Sequence, residues 1–377
     1  MAKPKNSGSQ LKDTNAESGN HISEWLGHRI YPTVRLDAAT FSGSGFGSCP
    51  FLTEALGQKT NCVKSENSFG VCSVSSVSNG SMQDWLVCPY RVVSSDIVRR
   101  ACRVVFGPAA AEKQPKPVTL LRVEAELSKF KQQVLQQDTG YVFFQDKLGG
   151  EISVIATPRS PEMSFDITLA EIVRSAAGFT VARYGILEVQ TMDFHGSYRR
   201  AVQNLKDALR LHGESFAESL RKNMQWGAER VEGPNIANVF KRTFYQVLLK
   251  FQLSGRGAAA GTVLAIPQSV WDSWQPFLGA PEIEQGPDGL YRLRVTDPVP
   301  ESAGSTNAHI FVFDLDSSAG TAISPVHVKM DIQVTADQLS HHAFKVVPAG
   351  MLESLSKSDS ILARIKMRLA SSWPELR

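Results

Sequence analysis

No stretch of this chain approaches the roughly 18 consecutive apolar residues of a membrane span. Its start, MAKPKNSGSQLKDTNAESGN, has no apolar core of the secretory type. Both absences predict a cytoplasmic protein with no membrane partner. Bulk charge of either sign is also missing: 40 Lys and Arg stand against 37 Asp and Glu, a net +3. A polycation held to nucleic acid by overall charge is thereby excluded, and any nucleic-acid site must be a local concentration. Cysteine is scarce, odd in number and confined, with 5 in 377 residues, all between Cys49 and Cys102. That distribution does not fit the disulfide framework of a small secreted domain, and leaves reduced thiols or a metal site. There is no internal repeat. What is present is 42% apolar side chains, enough for one large core or two ordinary ones.

Residues 1–20 hold Ser, Asn, Gly and Lys with almost nothing apolar, too little to repay the entropy of ordering, and are expected to form a flexible tail. Residues 21–102 read as a small loop-rich module, with the cysteines set among turn-forming strings such as SGSGFGSCP and SVSSVSNGS. Past the Pro-rich hinge FGPAAAEKQPKPV, residues 103–377 read as a larger α/β domain. Its spacing predicts a helix over 123–137, then strands at YVFFQ and EISVIA joined by a Lys-Leu-Gly-Gly turn, a strand at YGILEVQTM, and two helices over 197–224. Asn235 opens a strong helix that Gly255 stops, with Ile236, Val239, Phe240, Phe244, Val247 and Phe251 as its buried stripe. Arg242, Gln246 and Lys250, each four apart, form a second stripe, suited to a phosphate backbone or to plain solvent. VLAIP and IFVFDLD are further strands, and the last 60 residues read as polar helices.

Cys49, Cys62, Cys72 and Cys88 are separated by 12, 9 and 15 residues, so none forms a C-x-x-C knuckle. Thiolates converging from separate loops can bind Zn or Fe tetrahedrally and fasten a module with little core of its own. The alternative is that they are buried small hydrophobes. Cys102, in the regular apolar run RRACRVVF, is the odd one out.

Phosphodiester hydrolysis requires a hard cation, usually Mg, and carboxylates are its natural ligands. Asp166 closes PEMSFD; 22 positions on, Glu188 sits in ILEVQ, with Gln190 two further along and on the same face of a strand. This is the outline of the PD-(D/E)xK nuclease site with Gln where Lys is usual; the alternative is a pair of ordinary solvated or capping acids. Glu151, after the Gly-Gly turn, is either a supporting ligand or a strand-edge charge. His195 in MDFHGSY reads as structural, because no Ser or Cys nucleophile motif accompanies it. The window 183–256 holds 12 Lys and Arg against 7 Asp and Glu, a basic stretch directly after the carboxylates.

The strings WLGHRIYP, SCPFLT, NCVK, GVC, DWLVCP, FQDKLGGE, SFDITLAE, RYGILEVQTMDFHGSY, EGPN, NVFKRTFYQ and AIPQSVWDSW, in order over about residues 22–316, resemble the NotI restriction endonuclease family. The resemblance implies an α/β fold with a PD-(D/E)xK restriction-endonuclease-like core, a mixed sheet flanked by helices, behind a small N-terminal four-cysteine metal-binding module. It implies a homodimeric Type II enzyme making Mg-dependent double-strand cuts in DNA at a GC-rich palindrome, GCGGCCGC or a related CGGCCG, leaving 5'-phosphate and 3'-hydroxyl ends. A cognate DNA methyltransferase would protect the host. Residue by residue, Cys49, Cys62, Cys72 and Cys88 are implied as ligands of a structural Fe or Zn, Asp166 and Glu188 as Mg ligands, Gln190 as the residue replacing Lys, and Glu151 as the supporting acid. Lys241, Arg242, Gln268 and Ser269 are the expected DNA contacts, since guanine is read by Lys or Arg and neighbouring edges by amides and hydroxyls. The alternative from another class is a non-catalytic, metal-containing DNA-binding protein on the same fold.

Overall fold

The computed structural model describes residues 19–36, 41, 46–78, 80–93, 96–294, 308–316, 320–357, 360–370 and 373. The expected flexible tail lies outside them except for its last two residues. The N-terminal sheet contains β1 (His21–Trp25), β2 (His28–Arg29), β3 (Val71–Ser78) and β4 (Ser81–Leu86), in the order β2-β1-β3-β4. Leu26 and Gly27, both at positive φ (49° and 82°), turn β1 into β2 as a two-residue hairpin. A Cβ on Gly27 would lie 2.5 Å from the Pro50 ring, so the turn and the helix Pro50–Leu56 pack directly.

The large sheet is nine-stranded and mixed. Its members are β5 (Lys116–Pro117), β6 (Thr139–Gln145), β9 (Ile167–Ser175), β10 (Gly178–Val189), β11 (Ala259–Pro267), β12 (Ile283–Gln285), β13 (Tyr291–Leu293), β14 (Ala308–Leu315) and β15 (Val326–Val334). The order is β12-β13-β15-β14-β11-β10-β9-β6-β5. Two short strands outside it, β7 (Ile152–Val154) and β8 (Met163–Phe165), pair with each other. β10, β11 and β14 run parallel, as crossover connections demand. The helices Arg199–His212, Phe216–Lys222 and Ile236–Leu253 link the first two, and Gln268–Leu278 links the second pair.

Alternation along these strands sorts the core onto two faces. Val263, Ala265, Phe311 and Phe313 join one cluster with the helix Asp96–Phe106, whereas Leu264, Ile266, Ile310 and Val312 join another with the helices 236–253 and 268–278. Gly185 lets the first helix approach β10: a Cβ there would stand 2.4 Å from Val105. Cys49, Phe51, Cys72 and Cys88 belong to that same first cluster, so the N-terminal segment and the large sheet share a core. Residue 102, expected as the end of the module, falls inside the helix that joins them.

The expected helices appear as Glu124–Gln137, Arg199–His212, Phe216–Lys222 and Ile236–Leu253, with Asn235 as N-cap of the last. Two expectations need correction, and one strand lies outside those expected. The last 60 residues include a nine-residue strand, β15, whose string VHVKMDIQV alternates with period two. EISVIA shortens to β7, which among the described residues pairs with β8 alone. β9 was not foreseen; its Glu171 is a buried charge in mid-strand, met by Arg183 (Nε to Oε2, 2.8 Å) and the Tyr141 hydroxyl (3.3 Å). Among the described residues no helix is long and apolar enough to cross a membrane.

Candidate active site

Strand register assembles the carboxylates. β10 is antiparallel to β9 with Leu187 opposite Ile167, so Asp166, just before β9, comes to lie beside Glu188. The Asp166 N–H donates to Glu188 Oε1 at 3.3 Å, and the Val189 N–H donates to Asp166 Oδ2 at 2.9 Å. Both acids and Gln190 line a polar cleft of about 180 Å³ at the carboxyl end of parallel β10, where open α/β sheets generally take their ligands. The neutral Gln190 is held at both ends of its amide: the carbonyl accepts from the Thr243 hydroxyl, and the NH₂ donates to the Thr191 carbonyl.

Burial raises Asp166 above the ordinary carboxylate range, opposed by the Val189 N–H and the charge of Lys250. Glu188 is pushed up to about 7, by burial first and then by the Asp166 charge, again against Lys250. Glu151 is exposed and does not line the cleft, yet it also lies above its usual value, through partial burial and then the charges of Asp166 and Asp146, with Lys250 opposing. The three expected acids therefore share one electrostatic neighbourhood.

Lys250 was expected on a solvent- or DNA-facing stripe with Arg242 and Gln246, and this is corrected. Arg242 and Gln246 are exposed at the cleft, but Lys250 is only 3% exposed. Its Nζ donates to Glu188 Oε2 and lies 5.8 Å from the centre of the Phe165 ring. Residues four apart drift around a helix, by about 80° over eight positions, which turns Lys250 toward the sheet. A signal for this was present: Ile236, Phe240, Thr243, Val247 and Lys250 follow each other at +4, +3, +4 and +3.

The remaining candidates are dispersed. Lys241 is exposed but does not line the cleft; Arg242 does, and its Nη1 meets Asp193 Oδ2 at 3.1 Å. Gln268 donates to Asp272 Oδ1 at 2.7 Å. Ser269 is buried, its hydroxyl donating to the Asp84 carbonyl at 3.0 Å, a contact that ties β4 to the helix 268–278. His195 is exposed, with its backbone N–H on the Gly233 carbonyl.

Cys49, Cys62, Cys72 and Cys88 line one cavity of about 10 Å³ beside Lys64. They arrive from the N-cap of the helix Pro50–Leu56, a loop, β3 and the N-cap of the short helix Pro89–Val92 that follows β4. The Cys62 sulfur accepts from the Gly70 N–H at 3.3 Å, and the Cys72 thiol donates to the Gly70 carbonyl at 3.4 Å. Hydrogen bonding from Cys72 draws Cys88 down to about 6, against burial and with help from Lys64, while burial pushes Cys49 up to about 11. Cys102 is fully buried in its helix, and burial alone raises it. All five thiols are free. Among the described residues, no three of His, Cys, Asp or Glu are arranged to hold a metal ion. The donor types nonetheless suit their groups: oxygen for a hard cation in the cleft, sulfur for a soft one in the cysteine cavity.

The chain matches no protein-family model, and no curated protein matches it.

Proposed function

We propose that this protein is a Type II restriction endonuclease of the PD-(D/E)xK class, similar to the NotI family, acting in the cytoplasm as a homodimer on double-stranded DNA. The observation that carries the reading is the pairing of Asp166 with Glu188 across β9 and β10, beside Gln190, in a polar cleft at a strand end. Asp166 and Glu188 would hold magnesium, with Glu151 in support. Magnesium, when bound there, supplies Lewis acidity to the phosphate and acidifies water.

The chain's own residues then divide the remaining work. Gln190, neutral and fixed by Thr243, orients by hydrogen bonding and takes no proton. Arg242, at the cleft mouth, is placed for a backbone phosphate or a guanine edge, and Lys241 and Gln268 complete the proposed DNA contacts; Ser269, buried with its hydroxyl on the Asp84 carbonyl, is not among them. One such site cuts one strand, so two related by a two-fold axis cut both strands of a palindrome. In the N-terminal segment, iron or zinc on Cys49, Cys62, Cys72 and Cys88 would fasten the loops around β3 and β4. A partner methyltransferase of the same specificity completes the system.

Digestion of DNA of known sequence with magnesium, followed by mapping of the ends, tests the reading. Expected are 5'-phosphate and 3'-hydroxyl ends at a GC-rich palindrome, GCGGCCGC or CGGCCG. Binding to such a duplex without any cleavage would instead favour a non-catalytic DNA-binding protein.

A further inference from the structure

Lys250 is the charged side chain that the helix Ile236–Leu253 carries inward to this site. It is buried, it donates to Glu188 Oε2, and its charge reaches Asp166 and Glu151 as well. Three carboxylates and one phosphodiester carry four negative charges, and a single divalent cation cancels two of them. Nucleophilic attack on an anionic phosphate adds further charge, so a fixed positive group nearby lowers the barrier in a water-poor site. Gln190, one residue past the end of β10, is neutral, and Thr243 holds its amide.

We infer that Lys250 is the buried basic residue serving the carboxylates of this site, carried in by the helix Ile236–Leu253 rather than by strand β10. It acts through Glu188, and so is a positioning and charge-balancing residue: it aims that carboxylate and offsets the negative cluster around it. The inference rests on the nuclease reading for its role in cleavage, but its electrostatic part can be measured without DNA.

The experiment compares wild type, Lys250→Met, Lys250→Arg and the double variant Lys250→Met with Gln190→Lys. Three quantities are measured: manganese affinity of the DNA-free protein by calorimetry, cognate binding with calcium, and single-turnover cleavage with saturating magnesium. Lys250→Met is expected to lose about 100-fold or more in cleavage, with calcium-supported binding little changed. Its manganese affinity should rise about tenfold, because an opposing positive charge is gone. Placing a lysine just past β10 through Gln190→Lys should recover about tenfold in rate, which repair of a purely structural ion pair would not do. Lys250→Arg should keep wild-type manganese affinity and measurable cleavage.

Wild-type cleavage or unchanged manganese affinity in Lys250→Met would overturn the inference. So would a folded Lys250→Arg without cleavage, even where Lys250→Met cannot be purified. If Lys250→Met shows the manganese shift but the wild type cuts no duplex, the nuclease reading is overturned and the placement of Lys250 stands.

Discussion

The carboxylate cleft and the cysteine cavity are built in opposite ways. In the cleft, backbone register places Asp166 against Glu188, and a helix brings in Lys250, so charged groups are held by rigid elements around about 180 Å³ of polar space. In the cavity, four thiols come mainly from loops and strand ends around about 10 Å³, within an apolar cluster shared with the large sheet. Rigid elements can hold buried charge in place because they fix each acid against its partner, as Glu188 against Lys250. Loop-borne thiols add little scaffold of their own, and a metal bond is the interaction that would fix them.

That contrast breaks first at the cleft. Asp166→Ala or Glu188→Ala should abolish cleavage while calcium-supported binding survives, with Glu188→Ala also lowering the melting temperature because Lys250 loses its buried partner; substantial cutting by either would remove the assignment. Glu151→Ala, exposed and outside the cleft lining, should slow cleavage without abolishing it, and a wild-type rate would demote Glu151 to a surface charge.

The cavity should respond in stability before chemistry. Cys62→Ala or Cys72→Ala is expected to lower the melting temperature by on the order of 5–10 °C and to deplete bound metal. Wild-type melting and metal content in both variants would show that no metal site holds these loops. Metal analysis of protein grown without added zinc distinguishes iron from zinc.

A smaller effect concerns pH. Glu188 sits at about 7 in the folded protein against an ordinary 4.5. Between those values the folded state binds more protons at this group than the unfolded state, so its contribution to stability falls as pH rises through the window. Metal-free Glu188→Gln should lack that component, and denaturant titrations at several pH values would reveal it as a flatter profile than the wild type. Identical profiles would mean Glu188 ionises like an exposed acid.

The smallest effects belong to the rim. Arg242→Gln should cost about 1–3 kcal/mol and relax one base position if Arg242 reads guanine. A phosphate contact would weaken all sequences alike and reduce the salt slope by about one. Lys241→Gln, outside the cleft lining, is expected to show the phosphate pattern, and fragment binding across salt concentrations separates the two.

Much of this architecture was readable along the chain because its causes are local. The helix Ile236–Leu253 declares itself by the 3.6-residue spacing of Val239, Phe240, Phe244 and Val247, and Asn235 marks its start. β15 is equally declared by the alternation of VHVKMDIQV, a period-two pattern that marks a strand of the large sheet within the polar C-terminal stretch. β9 was obscured for another reason: Glu171 belongs in a strand interior only because Arg183 and Tyr141, distant in sequence, compensate it.

By itself, then, the sequence determined which residue types were available to the site and the local periods that make helix or strand. It supplied Asp166, Glu188, Gln190 and four clustered cysteines. Tertiary structure alone decided that Lys250 is buried against Glu188 while Arg242, two helical turns earlier, faces the cleft, and that Ser269 spends its hydroxyl on Asp84. The physical reason is that helical period sets only the angle at which a side chain leaves its own axis. Whether that direction meets water or a carboxylate depends on which strand the fold has laid beneath it.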